Sequence, residues 1–401
     1  MNPSVFFRNL ALIYIATGPI YWFFLIPPES FSLIKQGIAA TLIGAGAVIG
    51  YKEIFAQSGA LQKSGSGMIF GIILMSIPSI FFAQPEESFE HLTRYLILLA
   101  IILLFYWVML DRQIPEKLAP VIAYIMIPVC LMTSANWLLD LQIEGYVGPE
   151  FILPLHISGF SDNRTGWSNG LAVMALFMLW QYIVAPDRNR LYLLAFASIA
   201  LAQTACGGRG GMTATAVGVI ALLVYHKRYM NMLVITVAIA IFAALNWDFL
   251  YEHLRFDRLD ETNTTADFTA GRAEQYTLAI ALIDDPIRLF IGLGPEGYKE
   301  YFAKKFIEYA IHNVWLRLLI EYGIFLLLFA IGYLIKSMID AYQRDRRSMP
   351  LIIILSAGFI STFVEPHAIL YSYQNYLLWW ILYVAVRMNR TTYLIPAARS
   401  K

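Results

Sequence analysis

Charge is scarce in this chain. Only 14% of its 401 residues are charged, against roughly 25% in an ordinary soluble domain. In exchange, 59% are hydrophobic and the mean hydropathy is +0.60. One soluble core cannot hide that much apolar surface, so lipid is the expected solvent for most of the chain. Cysteine is almost missing: Cys130 and Cys206 sit at or inside apolar runs and support neither a disulfide framework nor a thiolate metal site. Internal repeats and low-complexity tracts are absent as well. No small-residue cleavage site follows the first apolar run, so MNPSVFFRNL and ALIYIATGPIYWFFLI read as a retained first span. The net charge of +1 gives no reason to expect a nucleic-acid partner; membrane lipids are the expected surroundings.

What is present is a succession of apolar runs, and the expected fold class is an all-α integral membrane protein. At about 20 residues per span, about twelve candidates follow: 9–27, 33–51, 68–83, 92–110, 119–137, 166–185, 190–206, 211–225, 230–247, 313–335, 350–365 and 370–387. Proline and glycine within them, such as Pro78, Pro128, Gly44 and Gly46, are tolerable where neighbouring helices re-satisfy the backbone. Lys and Arg in the short connections gather on one side, among them Arg8, Lys52, Arg112, Lys117, Lys227, Arg228, Arg344, Arg346 and Arg347. The opposite short loops PPESF, AQPEESFE and EPHAILYSYQ hold none. That bias predicts both termini in the cytoplasm.

The longer connections, 138–165 and 248–312, fall on the other, periplasmic side. The second is a large loop inserted between spans nine and ten. GRAEQYTLAIALIDD within it has helical apolar spacing that Asp285-Pro286 should end. IGLGPEGY then reads as a tight turn and EYFAKKFIEYA as a second short helix, which predicts a structured cap of two helices.

Three groups on that side carry chemistry. Arg209 stands in the turn CGGRGG, where glycines permit close backbone approach and a guanidinium can grip a phosphate with two hydrogen bonds. An ordinary turn whose Arg reaches to the interface is the alternative for that motif alone. Arg272 in TAGRAEQ is expected at a helix start, where backbone N–H groups and the side chain act together on an anion; a surface Arg paired with Glu274 is its alternative. His312 opens the span after the long loop in IHNVWLRLLIEYG. A lone interfacial histidine is commonly structural, but beside two arginines it becomes a candidate base for a hydroxyl near neutral pH. On the same helix Arg317 and Glu321 form an i,i+4 pair that partly neutralises itself. No Asp-x-Asp pair marks the outer loops, and the adjacent pairs Glu86-Glu87 and Asp284-Asp285 diverge by about 100° on a helix. Arginine without metal, and without any other cofactor, is therefore the expected source of positive charge.

His312 followed by ten residues and Gly323, with Asn313 directly after the His, and preceded in order by GGRGG and by GRAEQ with DDPIRLFIGLGPEGY, resembles the O-antigen ligase and polymerase superfamily. The motifs cover about residues 200–335, and the span plan extends the likeness over the chain; SGFSDNRTGWSNGLAV before span six is similar in kind. One departure is that the neighbour of Arg209 is Gly, where the family more usually has a Ser. The resemblance implies a fold related to GT-C membrane glycosyltransferases and a metal-independent, inverting transfer. The donor would be a glycan on undecaprenyl diphosphate and the acceptor a hydroxyl at the periplasmic face of the bacterial inner membrane. It implies Arg209 and Arg272 on the diphosphate and His312 on the acceptor, with Arg164, Asn313 and Tyr298 as further donor or sugar contacts; Tyr309 joins Tyr298 along the sugar path.

The spacing from His312 to Gly323 resembles the ligase form, whose acceptor is lipid A–core. A polymerase, with a lipid-linked glycan as acceptor, and a protein-directed oligosaccharyltransferase share the chemistry. A secondary transporter would show two matching halves. Here APDRNR joins spans six and seven, and the extramembrane bulk follows span nine, which argues against that class. An assembly scaffold would need neither His312 nor the arginines.

Overall fold

A few helix starts in this chain are set by capping side chains. Asn2 accepts a hydrogen bond from Ser4 N and Pro3 occupies the first turn, opening α1 (Pro3–Ala16). The computed structural model describes residues 2–20, 28–56, 59–81, 85–141, 143–146, 152–155, 164–185, 190–230, 272–303, 311–363, 369–370 and 373–394. After α1 come α2 (Pro28–Ile49), the short α3 (Tyr51–Phe55) and α4 (Ala60–Ser64), then α5 (Ser66–Ile80), α6 (Pro85–Leu110) and α7 (Leu118–Leu138). A small antiparallel hairpin pairs Glu144–Tyr146 with Ile152–Pro154. The chain continues with α8 (Arg164–Val184), α9 (Arg190–Cys206) and α10 (Arg209–Tyr225). The cap segment holds α11 (Arg272–Ala281), α12 (Pro286–Ile291) and α13 (Tyr298–Ala303). It ends with α14 (Val314–Arg344), α15 (Met349–Ser361) and α16 (Leu377–Arg387).

Every expected span except 230–247 holds one of these helices. The segment 230–247 lies outside the described residues beyond its first position, as do 248–271 and 304–310 of the long loop. Among the described residues four helices are long and apolar enough to cross a membrane: Glu87–Leu110, Gln113–Leu138, Thr165–Val184 and Val314–Arg344. Shorter apolar helices accompany them, including Ser66–Ile80, Arg190–Cys206 and Arg209–Tyr225.

The helices divide by burial. Trp167 through Gln181 on α8 and Leu377 through Val386 on α16 are buried all round, which puts these two elements at the centre of the bundle. By contrast α5 shows Phe70 and Leu74, α10 shows Val217 and Ile220, and α14 shows Phe325, Leu328 and Ile335 on outward faces. Large apolar side chains on so many outward faces suit a lipid solvent. Small residues let the helices approach: a side chain on Gly218 would meet Leu176, and one on Gly358 would meet Trp379 and Val173.

The cap departs from its expected form. Its first helix ends at Ala281, because Leu282 N and Ile283 N turn back to Ala279 O and Ile280 O in tight i→i−3 bonds. Asp285, expected to end a helix, instead begins one: its carboxylate accepts from Ile287 N and Pro286 takes the first position of α12. The described residues therefore hold three short cap helices where two were expected.

Candidate functional site

Two hydrogen bonds orient the bundle. Tyr225 at the end of α10 donates to Arg346 O, in the turn between α14 and α15, at 3.4 Å. Val314 N, at the start of α14, donates to Thr362 O just after α15, at 3.0 Å. The start of α10 is thus at the same end of the bundle as the start of α14. Ser168 Oγ donates to Gly208 O at 2.8 Å, which brings the start of α8 to that end also. Tyr276 on α11 donates to His312 O at 2.6 Å and to Phe363 O at 3.4 Å, which adds the cap.

The turn around Arg209 is built by close approach. Gly207 has φ +61°, and Cβ atoms on Gly208 or Gly211 would fall 2.3 Å from atoms of Ser168. Gln203 Nε2 donates to Ser168 O at 2.8 Å, and Thr215 Oγ1 donates to Gln203 Oε1 at 3.0 Å. Those glycines serve contact with α8, and Arg209 itself is exposed as the first residue of α10. The hydroxyl that the turn lacks in sequence comes from Ser168, forty positions earlier, and its proton goes to the turn's backbone.

Arg164 is the first residue of α8, Arg209 of α10 and Arg272 of α11. For Arg164 and Arg272 the description extends to the backbone only. Asn313 caps α14, with Oδ1 accepting from Trp315 N at 2.9 Å and Leu316 N at 3.0 Å, so only its Nδ2 remains for a ligand. His312, half-buried, immediately precedes that cap. Trp315 Nε1 anchors the same turn on Thr362 Oγ1 at 2.6 Å. The helix starts that carry Arg164, Arg209, Arg272 and His312 therefore share one end of the bundle. A cation at a helix start opposes the helix dipole. Three helices whose first residue is an arginine, at Arg164, Arg209 and Arg272, thus begin at one end of the bundle.

Tyr298 has a different position from the expected one. Its ring is fully buried in the cap, edge-on to Phe302 at 5.4 Å and under Arg317 at 5.8 Å, so it supports the cap core instead of lining a path. Burial pushes its phenol up to about 12, against the pull of the Arg317 charge. Tyr309 lies outside the described residues. Asp284 and Asp285 have separate tasks, the first 3.7 Å from Arg288 and the second as the cap of α12.

Sequence reasoning saw Arg317 and Glu321 as a pair but missed what joins them. Arg317 Nε donates to Glu321 Oε1 at 2.9 Å, while Nη2 donates to Glu296 Oε1, on the cap, at 2.9 Å. Lys299 also pairs with Glu296, and His91 of α6 stands 3.8 Å from the same carboxylate while its Nδ1 is 3.0 Å from Tyr322 Oη. Gly323 explains how cap and helix meet. Its φ of +82° breaks α14, leaving Ile320 O and Glu321 O to accept from Leu293 N at 2.8 Å and Gly294 N at 3.0 Å. A Cβ on Gly323 would lie 2.1 Å from Phe290 O, and one on Gly292 would lie 2.4 Å from Glu321 O. The glycine that follows His312 by a fixed interval is thus the notch that receives the cap turn.

Compared with models of known protein families and with curated proteins, the chain matches none.

Proposed function

We propose that this protein is a membrane glycosyltransferase. It moves a glycan from undecaprenyl diphosphate to an acceptor hydroxyl at the periplasmic face of the bacterial inner membrane, and it acts as an O-antigen ligase with lipid A–core as acceptor. The observation that carries the reading is the set of arginines at helix starts, Arg164, Arg209 and Arg272, at the end of the bundle where His312 precedes α14. A diphosphate leaving group needs concentrated positive charge, and a periplasmic enzyme, lacking nucleotide sugars, takes its donor from the lipid. The span plan of about twelve helices, the GT-C relationship and the cytoplasmic termini belong to the same proposal, and the likeness of the motifs to the O-antigen ligase superfamily supports it.

In this reading Arg209 and Arg272 hold the two phosphates, and Arg164 adds a contact to phosphate or the first sugar. His312 orients the acceptor hydroxyl and takes its proton as the oxygen attacks the anomeric carbon. The bond from that carbon to the diphosphate oxygen breaks, undecaprenyl diphosphate leaves, and one displacement inverts the anomeric configuration. Asn313 Nδ2 is available to a sugar hydroxyl, its oxygen being committed to the helix.

Purified protein incubated with lipid-linked glycan and rough lipopolysaccharide tests the proposal. Transfer to lipid A–core is expected, and it should be lost in Arg209→Ala, Arg272→Ala and His312→Ala variants that still insert normally. Chain growth on the lipid carrier alone would assign a polymerase instead; full activity in all three variants would remove the site assignment.

A further inference from the structure

The cap turn and α14 carry a charge arrangement that the transfer chemistry does not use. Arg317 has two carboxylate partners reached through different nitrogens: Glu321 on its own helix through Nε, and Glu296 on the cap through Nη2. Glu296 in turn has a second cation, Lys299, three positions along on the cap. The side chains of Arg317 and Glu321 are 1% and 0% exposed, that of Glu296 is 17% exposed and that of Lys299 is 59% exposed. If the turn lifts away, Arg317 keeps Glu321 and Glu296 keeps Lys299, so no charge is left alone. Arg317–Glu296 is the hydrogen-bonded ion pair across the joint, at 2.9 Å, and His91 of α6 stands 3.8 Å from the same carboxylate.

The backbone at Glu296 supports the same conclusion. Its φ is +56°, in the left-handed region where glycine is at ease and a side chain is strained. Glycines flank it on either side of the turn, at Gly294 and Gly297. A turn requiring only shape would have glycine at 296 too. What the strained residue supplies is the carboxylate and the backbone N–H, which donates to Glu321 Oε1 at 3.1 Å.

We propose that Glu296 is a positioning residue: by engaging Arg317 it docks the 292–297 turn into the Gly323 notch and so holds α11, with Arg272, in register with the His312 turn. The route is short. Tyr276 on α11 is bonded to His312 O, and Ile320, whose carbonyl receives Leu293 N, packs in one cluster with Ala279 of α11 and Tyr298 and Phe302 of α13. The substrate side of this inference rests on the glycan-transfer reading, whereas the docking rests on geometry alone.

The test compares Glu296→Gln, Glu296→Gly and Glu296→Asp in the full-length protein in detergent. The first is isosteric and the second relieves the backbone, so both should fold. Hydrogen exchange of the 290–297 segment reads docking without any chemistry. Exchange there should rise about tenfold in the Gln and Gly variants, since those amides depend on a docked turn. With lipid-linked donor and lipid A–core, kcat should fall about tenfold to a hundredfold as geometry loosens, while the KM for donor moves much less. Glu296→Asp should restore a substantial part of both. Arg317→Lys should resemble Glu296→Gln, because one ammonium cannot reproduce two divergent guanidinium bonds. Unchanged exchange in Glu296→Gln, or raised exchange with unchanged turnover, overturns the proposal. A wild-type protein that transfers no glycan would defeat the functional reading instead, and exchange would still decide whether Glu296 docks the cap.

Discussion

Two buried arginines at opposite ends of the bundle solve the same problem differently. Arg8 on α1 pairs with Glu53 on α3 and with Asp111 just beyond α6, at 3.1 Å for the latter, and lies 4.7 Å over the Trp107 ring. Trp107 Nε1 also donates to Glu53 at 3.1 Å. Its carboxylates belong to the bundle, and their side chains are 45% and 26% exposed, so water shares the solvation. Arg317 has one partner on its own helix, wholly buried, and one on the cap. The first arrangement is a clamp that ties helix ends together. The second is a joint, and the joint lies at the end with the arginine-led helices and His312. The charges of the clamp share their solvation with water, whereas at the joint each side of the cap contact has a counter-charge of its own, Glu321 for Arg317 and Lys299 for Glu296.

The largest effect should come from removing the buried cation. Arg317→Ala leaves Glu321 enclosed without a counter-charge and should lower stability by about 3–5 kcal/mol, read as a fall in melting temperature in detergent. Replacing both, Arg317→Met with Glu321→Leu, should recover much of that stability while leaving the cap undocked. If the single variant melts like wild type, the pair is not the structural element described here.

Gly323→Ala is next. The left-handed backbone and the contact with Phe290 O both oppose a methyl group, and a cost of about 2 kcal/mol is expected for strain at such a position. Gly332, in the same helix with open space around it, is the control. Gly332→Ala should be neutral or stabilising by up to about 1 kcal/mol. Equal effects at the two glycines would remove the special status of the notch.

Arg8→Ala should cost less than Arg317→Ala, about 1 kcal/mol, because its partners are partly solvated, and the loss should shrink in high salt. Thermal melts at low and high ionic strength check this. The smallest effect concerns Asp345, whose carboxyl the Arg347 guanidinium and backbone N–H hold below the usual range. A lowered folded-state value means its contribution is present above the unfolded value of about 3.9 and is lost as the pH falls through the folded one. Asp345→Asn should therefore flatten the acid limb of the stability profile slightly and leave neutral pH nearly unchanged. An identical acid limb in both proteins would show that the contact contributes nothing.

Much of the helical plan was legible because apolar runs of span length leave little choice of structure, whereas the capping roles of Asn313 and Asp285 emerged only from the hydrogen bonds. The short interval from His312 to Gly323 was visible too, but its physical meaning was not: a helix break becomes apparent only when the Phe290 to Glu296 segment fills it. Asp285-Pro286 was read as a stop because both residues end helices and begin them, and only the chain direction of the hydrogen bonds distinguishes the two. Ser168 and Glu296 were missed because nothing local marks them; their partners are forty and twenty-one positions away. Tyr298 was read as a sugar contact, and its full burial in the cap was not legible because so small a core leaves no long apolar run to reveal it.

The division of labour at the arginine-led end can be measured without turnover. Binding of undecaprenyl diphosphate to the purified protein should weaken at least about tenfold in Arg209→Ala and in Arg272→Ala, the loss expected for a charged hydrogen bond to phosphate. In His312→Ala it should stay at the wild-type level. Arginine variants that bind the carrier normally, or a histidine variant that binds as poorly as they should, would contradict the account.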